Sequence, residues 1–285
     1  SRNHPDVVVH HLRPLAVRLI VDKYAVVGNP IGHSLSPRIH ALFAAQTAQD
    51  MRYEALLAPL DGFAATVGAF IAEGGRGLNV TVPFKEEAFR LATRLSERAR
   101  AAGAVNTLGF SGAERFGDNT DGAGLVRDIA VNRQRDIAGQ RLLLLGAGGA
   151  ARGVILPLLA AKPASLLIAN RTADKARALA AAFSGCAGGG FDDIGGRSFD
   201  IVINATSAGL AGGVLPRLTF AFAPGCLAYE MVYGKDTDFL RQARASGATT
   251  ADGLGMLVEQ AAEAFFVWRG VRPDTAPVLK ELRPS

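Results

Sequence analysis

Short apolar runs alternate with longer segments of helical period along most of this chain, which is the pattern of parallel βα units. Tyr24–Gly28 reads as a first strand, and Ser36-Pro37 opens a helix running toward Gln49, with Ser36 as cap and Pro37 in the first helical position. A second strand covers Tyr53–Leu57, followed by a helix from about Asp61 to Glu73 that Gly74-Gly75 ends. The next strand, near Gly77–Val80, leads to Pro83, which is expected to start another helix. A hairpin is expected from Val105 to Thr120, turning near Ser111-Gly112, and Asp121 then opens a helix toward Val131. Arg133 to Gly139 is a polar link, a natural entry to a second domain.

Beyond the link the alternation resumes. Arg141–Leu145, Ser165–Ala169, Phe199–Ile203 and Cys226–Glu230 read as strands, and Asp252-Gly253-Leu254-Gly255-Met256 introduces an apolar helix through Trp268. A last helical segment, Thr275–Leu282, is expected to return to the first domain and make it discontinuous. The resulting division is an extension over 1–22, a first α/β domain over 23–121 plus 256–285, and a second over 122–255.

Composition narrows the class. At 285 residues, 49% apolar and 20% charged, the chain suits a soluble globular protein of two domains, each with its own core. No apolar run approaches the roughly 20 residues that span a bilayer, so no membrane partner is expected. Residues 1–22 lack the charged, apolar, small-residue order of a secretory signal, and they read as a ragged extension. Cys186 and Cys226 show no metal-ligand spacing, so reduced thiols in a cytoplasmic protein are expected and no metal is assigned. The net charge of +5 would draw an anionic substrate or a phosphorylated cofactor. Basic residues are interspersed with acidic ones, as in Arg94-Leu95-Ser96-Glu97-Arg98, so no nucleic-acid partner is expected.

Candidate chemistry concentrates at the ends of the first-domain strands. The run Asn79-Val80-Thr81-Val82-Pro83-Phe84-Lys85 and the run Asn119-Thr120-Asp121-Gly122 each carry a charged group at or near their end. Ser34, Ser36 and Asn106 add small neutral hydrogen-bonders, and Gln260 lies one turn beyond Met256 on nearly the same helix face. In an open α/β sheet such strand ends face the ligand crevice. Taken singly, Ser36, Thr81 and Asp121 read as helix caps, and Lys85 and Gln260 as solvated side chains. Grouped, they suit a hydroxylated, acidic small molecule held beside an ammonium and a carboxylate, with Ser34 and Ser36 at a helix N-terminus for the acid.

The second domain opens on a dinucleotide fingerprint. Arg141–Leu145 runs into Gly146-Ala147-Gly148-Gly149-Ala150-Ala151, with Gly146 for the turn, Gly148 for close approach of the pyrophosphate and Ala151 as the small third position. The following strand ends in Asn170-Arg171-Thr172, where a site preferring NAD would place Asp or Glu. Arg171, helped by Thr172 and Lys175, suits a 2′-phosphate instead, so NADP is the expected cofactor. Small polar loops containing Thr206 and Ser207 fit the rim of the cofactor cleft, to which Met231, Gly253 and Met256 are also assigned.

Taken in order, these motifs resemble the shikimate dehydrogenase family, from about Tyr24 to the C-terminus. The resemblance rests on Asn29 to Pro37, Asn79 to Lys85, Gly103 to Thr107, Asn119 to Gly122, the glycine fingerprint, Asn170 to Thr172, Asn204 to Gly209, and Gly253 to Leu257 through Gln260. It implies an α/β fold of two domains, an N-terminal substrate domain and a Rossmann-type dinucleotide domain, with C-terminal helices returning to the first. It also implies interconversion of 3-dehydroshikimate and shikimate in aromatic amino-acid biosynthesis, by a monomer or homodimer. Ser34, Ser36 and Tyr233 would contact the substrate carboxylate, while Asn79, Thr81, Asn106, Asp121 and Gln260 would surround the ring hydroxyls. Lys85 and Asp121 would be the catalytic pair.

Two positions depart from the family pattern: Glu230 stands where Asp is more usual, and Ala151 replaces a common Ser. Carbonyl reduction needs a proton at oxygen that a nicotinamide does not supply, so Lys85 is expected to donate it, with Asp121 as its orienting partner or as the principal proton carrier. A quinate-using paralogue working with NAD or NADP, and a ligand-sensing dinucleotide protein without catalysis, are the alternative readings.

Overall fold

The computed structural model describes residues 20–208 and 214–283. The first sheet contains β1 (Asp22–Gly28), β2 (Met51–Leu57), β3 (Gly75–Val80), β4 (Arg94–Leu95), β5 (Thr107–Ser111) and β6 (Glu114–Asp118). Its order is β2-β1-β3-β5-β6-β4, parallel at β2-β1-β3 and antiparallel through β3-β5-β6. The helices of this part are α1 (Ser36–Thr47), α2 (Phe63–Ala72), α3 (Lys85–Leu91) and α4 (Glu97–Ala102). A mixed sheet of this order brings the carboxyl ends of β1, β3 and β6 to the same edge as the amino end of β5. That edge carries Asn29, Thr81, Asn106 and Asn119, the residues that lead into the candidate loops.

The connector α5 (Asp121–Arg127), continued by one π-turn over Asp128–Asn132, crosses to a second sheet. That sheet is wholly parallel, with order β12-β11-β10-β7-β8-β9. Its strands are β7 (Arg141–Leu145), β8 (Ser165–Ala169), β9 (Ala187–Gly189), β10 (Phe199–Asn204), β11 (Phe222–Glu230) and β12 (Thr249–Ala251). Its helices are α6 (Gly149–Ala160), α7 (Ala173–Ala181) and α8 (Asp238–Ala245). From β7 the chain runs outward to β8 on one side and later returns to β10 on the other. A crevice at such a switch point is where a doubly wound sheet binds its ligand.

Two C-terminal helices, α9 (Leu254–Arg269) and α10 (Ala276–Leu282), close the fold. Phe43 and Ile39 of α1 pack with Val258 and Phe265 of α9 and with Val278 and Leu279 of α10 in one buried cluster. The return to the first domain is therefore made of side chains such as Phe43, each worth roughly 1.5–3 kcal/mol on full burial. Trp268 Nε1 adds a 3.0 Å bond to the carbonyl of Leu108 in β5.

Several local expectations change. Ser36 is the first residue of α1 rather than its cap, and the hydroxyl of Ser34 accepts from the Ser36 amide at 3.2 Å, as a cap would. Pro83 does not start α3, which begins at Lys85 after Phe84. Asp121 is not a cap either: Thr120 precedes the helix, and the Asp121 carboxylate is left to face the cleft. The expected extension over 1–22 lies outside the described residues as far as 19, and Asp22 already belongs to β1. No element is expected from the sequence at α4, α7, α8, β4, β9 or β12; α4 and these three strands are too short to show a period. Cys186 and Cys226 are free thiols. Among the described residues no helix is long and apolar enough to cross a membrane.

Candidate active site

A cavity of about 500 Å³ opens between the two sheets. Ser34, Ser36, Asn79, Thr81, Lys85, Asn106 and Asp121 line it from the first sheet's edge, and Met231, Tyr233, Gly253, Met256 and Gln260 from β11 and α9. Twelve residues singled out in the sequence thus share one wall-to-wall space.

The charged centre is Lys85 with Asp121. Lys85 Nζ donates to Asp121 Oδ2 at 2.7 Å, and Asp121 Oδ1 accepts from Asn106 Nδ2 at 3.0 Å. The backbone holds both groups still: the Lys85 carbonyl accepts from Val105 N at 3.0 Å, and the Asp121 amide donates to Asn119 Oδ1 at 3.1 Å. Both side chains are partly exposed to the cavity, so each keeps hydrogen-bonding capacity for a ligand.

A second layer sets the amide orientations. Asn79 Oδ1 accepts from the Tyr53 hydroxyl at 2.7 Å, while its Nδ2 donates to the Asn106 carbonyl at 3.3 Å and to Thr107 Oγ1 at 3.2 Å. Both Asn79 protons are spent inside the protein, so toward a ligand this side chain has only an acceptor lone pair left. Asn106 Oδ1 accepts from the Thr120 amide at 2.8 Å and Thr107 Oγ1 at 2.9 Å, which leaves its Nδ2 to serve Thr120 Oγ1, Asp121 and Gln260. Three acceptors compete for two protons there, and a ligand hydroxyl replacing Gln260 would resolve the excess. The sequence by itself assigns no role to Tyr53, Thr107 or Thr120. Thr107 and Thr120 lie within the motifs and were the available signal, whereas Tyr53 had none.

Gln260 reaches this layer because α5 and α9 touch. A Cβ at Gly124 would stand 2.7 Å from Gln260 N and 2.9 Å from the Met256 carbonyl, so only glycine allows the approach. Tyr233 faces the cavity from the loop after β11, and burial pushes its phenol above the ordinary tyrosine range. It therefore stays a neutral donor near neutral pH, suited to a carboxylate. Val26, Pro30, Ile31, His33, Val80 and Leu257 complete the lining; all but Val26 lie within the motifs, without a role of their own.

The expected cofactor residues Gly146, Ala147, Gly148, Gly149, Ala150, Asn170, Arg171, Thr172, Lys175, Thr206 and Ser207 do not line this cavity. They stand at the carboxyl ends of β7, β8 and β10, on one edge of the second sheet. Gly146 has φ +109° and lies against Ala205 at the end of β10, where a Cβ would meet backbone at 3.0 Å. Gly148 and Gly149 face open space, and α6 starts there with no side-chain cap, leaving amide N–H groups free for a pyrophosphate. Arg171 is exposed at the end of β8 with Lys175 in the next helical turn, and neither has an ion-pair partner among the described residues. The donor set fits a dinucleotide carrying an extra phosphate.

The chain also resembles known proteins over most of its length. Residues 26–108 match the shikimate dehydrogenase substrate binding domain, 128–211 the shikimate/quinate 5-dehydrogenase domain, and 253–283 the shikimate 5'-dehydrogenase C-terminal domain. The chain is 68% identical over 267 residues to shikimate dehydrogenase (NADP(+)) of Dechloromonas aromatica (strain RCB), covering 92% of this chain and 97% of that one. Its fold superposes on an Ael1 enzyme from Pseudomonas putida with TM-score 0.89 at 50% identity, covering 93% and 99% of the two chains. It also superposes on shikimate 5-dehydrogenase from Thermus thermophilus, solved with NADP(H) and shikimate, with TM-score 0.81 at 33% identity, covering 91% and 97%. Built on a mixed sheet and a parallel sheet with a cavity between them, this chain belongs to the shikimate dehydrogenase family.

Proposed function

We propose that the protein reduces 3-dehydroshikimate to shikimate, reversibly and with NADP(H), through Lys85 and Asp121. The observation that carries this reading is the ammonium and carboxylate 2.7 Å apart in a cavity whose other polar lining, from Ser34 to Gln260, is almost all neutral hydrogen-bonders set among apolar side chains. Relatives with the same activity in their names, at 58–68% identity, support it. NADPH, when bound, supplies the hydride to the carbonyl carbon. Lys85 Nζ donates a hydrogen bond to the carbonyl oxygen, stabilises the negative charge that develops there, and passes it a proton. Asp121 orients the ammonium and accepts a substrate hydroxyl, and in the oxidative direction Lys85 takes the proton back.

Ser34, Ser36 and Tyr233 hold the substrate carboxylate with neutral donors. Asn79, Thr81, Asn106 and Gln260 read the ring hydroxyls. Gly146 to Ala150 and the N-terminus of α6 hold the pyrophosphate, with Thr206, Ser207, Met231, Gly253 and Met256 along the cofactor's path. Asn170, Arg171, Thr172 and Lys175 take the 2′-phosphate. Residues 23–121 with 256–285 form the substrate domain and 122–255 the cofactor domain, in a monomer or homodimer.

Steady-state NADPH absorbance with shikimate or quinate, each paired with NADP⁺ or NAD⁺, tests the reading. The highest kcat/KM is expected for shikimate with NADP⁺. Preference for quinate or NAD⁺ replaces the substrate or cofactor assignment, and tight NADP⁺ binding without turnover replaces the enzyme by a sensor.

A further inference from the structure

Glu230 ends β11 with its carboxylate fully buried and with no charged side chain among its hydrogen-bond partners. Burying a carboxylate without a cation is costly unless donors surround it. Here they do. Oε2 accepts from Asn204 Nδ2 at 2.9 Å and from Thr237 Oγ1 at 2.8 Å, and Oε1 accepts from the Val232 amide at 3.3 Å. The Val232 amide needs an acceptor at Oε1, which a carboxyl offers whether or not it is ionised, and burial pushes this carboxyl above the ordinary glutamate range against the pull of its donors.

The partners belong to two sides of the site. Val232 stands between Met231 and Tyr233, which both line the cavity, and its carbonyl accepts from Gly253 N at 3.2 Å at the start of α9. Asn204 ends β10, and its Oδ1 accepts from the amide and the hydroxyl of Thr206 at 3.2 and 2.7 Å. One buried carboxylate thus ties the loop bearing Tyr233 to the strand end bearing Thr206.

We propose that Glu230 is a positioning residue for the substrate acid: through the Val232 amide it holds the 231–233 loop so that Tyr233 meets the shikimate carboxylate. The inference rests on the assignment of Tyr233 to that carboxylate. Glu230→Gln separates the two sides of the network. Its amide oxygen can keep Asn204 and Thr237, and with them Thr206, but its NH2 group then faces the Val232 N–H, donor against donor.

The experiment is kinetics of Glu230→Gln, Glu230→Asp, Tyr233→Phe and the double variant Glu230→Gln/Tyr233→Phe. Glu230→Gln is expected to raise the KM for shikimate about 10-fold, with kcat and the KM for NADP⁺ changed by no more than about 2-fold. Glu230→Asp, which keeps two acceptor oxygens, should recover most of the lost affinity. In the double variant the two effects should be less than additive, because both act through Tyr233. If Tyr233→Phe leaves the KM for shikimate unchanged, the Tyr233 assignment fails. If Tyr233→Phe raises it and Glu230→Gln does not, or raises both KM values alike, the positioning role of Glu230 fails. Should Glu230→Gln not fold, hydrogen exchange on the unmodified protein decides: the Val232 amide should be protected, and exchange at an open loop's rate would overturn the inference.

Discussion

Lys85 and Asp121, 36 residues apart, meet at 2.7 Å because β3 and β6 end on the same edge of one sheet. Each is the first residue of a helix that follows a strand, so each side chain leaves the backbone where the sheet stops and the cavity begins.

Removing the ammonium should therefore affect the chemical step more than binding. Lys85→Ala is expected to lower kcat by roughly 10²–10⁴ while the KM for shikimate changes only a few-fold. Single-turnover reduction with saturating NADPH measures this, and near-normal turnover would remove Lys85 from the proton path.

Arg171 is exposed and, among the described residues, unpaired at the end of β8, where a 2′-phosphate would lie. Losing a charge-assisted contact to a phosphate costs about 1.5–3 kcal/mol, so Arg171→Ala should raise the KM for NADP⁺ roughly 10- to 100-fold. The KM for NAD⁺ should stay where it is. An unchanged ratio of the two would place cofactor discrimination elsewhere.

Gly124 of α5 lies directly against the backbone of α9 in the site. Alanine would force its Cβ against the backbone of Met256 and Gln260, a contact that cannot yield as a flexible side chain would. Gly124→Ala should cost roughly 1–3 kcal/mol of stability in urea denaturation and raise the KM for shikimate as Gln260 withdraws. Wild-type values for both would show that the helices part without consequence.

His40 lies fully buried in α1, stacked on Tyr53 with ring centroids 4.2 Å apart, and neither ring nitrogen has a hydrogen-bond partner. Burial pulls its pKa down to about 3. Below its unfolded pKa of about 6.5 the unfolded chain binds a proton that the folded one refuses, so stability present at neutral pH is lost as pH falls toward the folded pKa. At about pH 5 the loss from this group is about 2 kcal/mol. His40→Phe keeps a stacked ring without the proton, and the fall in stability between neutral and acid pH, read by urea denaturation, should shrink accordingly. An unaltered pH slope would assign the acid sensitivity to other groups.

Taken alone, the sequence determined the alternation of strands and helices, the glycine turn at Gly146 and the runs carrying Lys85 and Asp121. All of these are local: a strand, a turn or a helix start is encoded by neighbours a few residues apart, and motif chemistry is read the same way. Short elements such as α4 and β12 carried too few periods to be seen. Tertiary structure decided that Ser36 and Asp121 are helical residues facing a cleft rather than caps. It also decided that Tyr53 spends its hydroxyl on Asn79, that Gly124 seats Gln260, and that Glu230 joins two strand ends. These contacts link positions 26 residues apart in the case of Tyr53 with Asn79 and of Asn204 with Glu230. No local pattern records such pairs, because their donors and acceptors are matched only once the sheet order has brought the strand ends together.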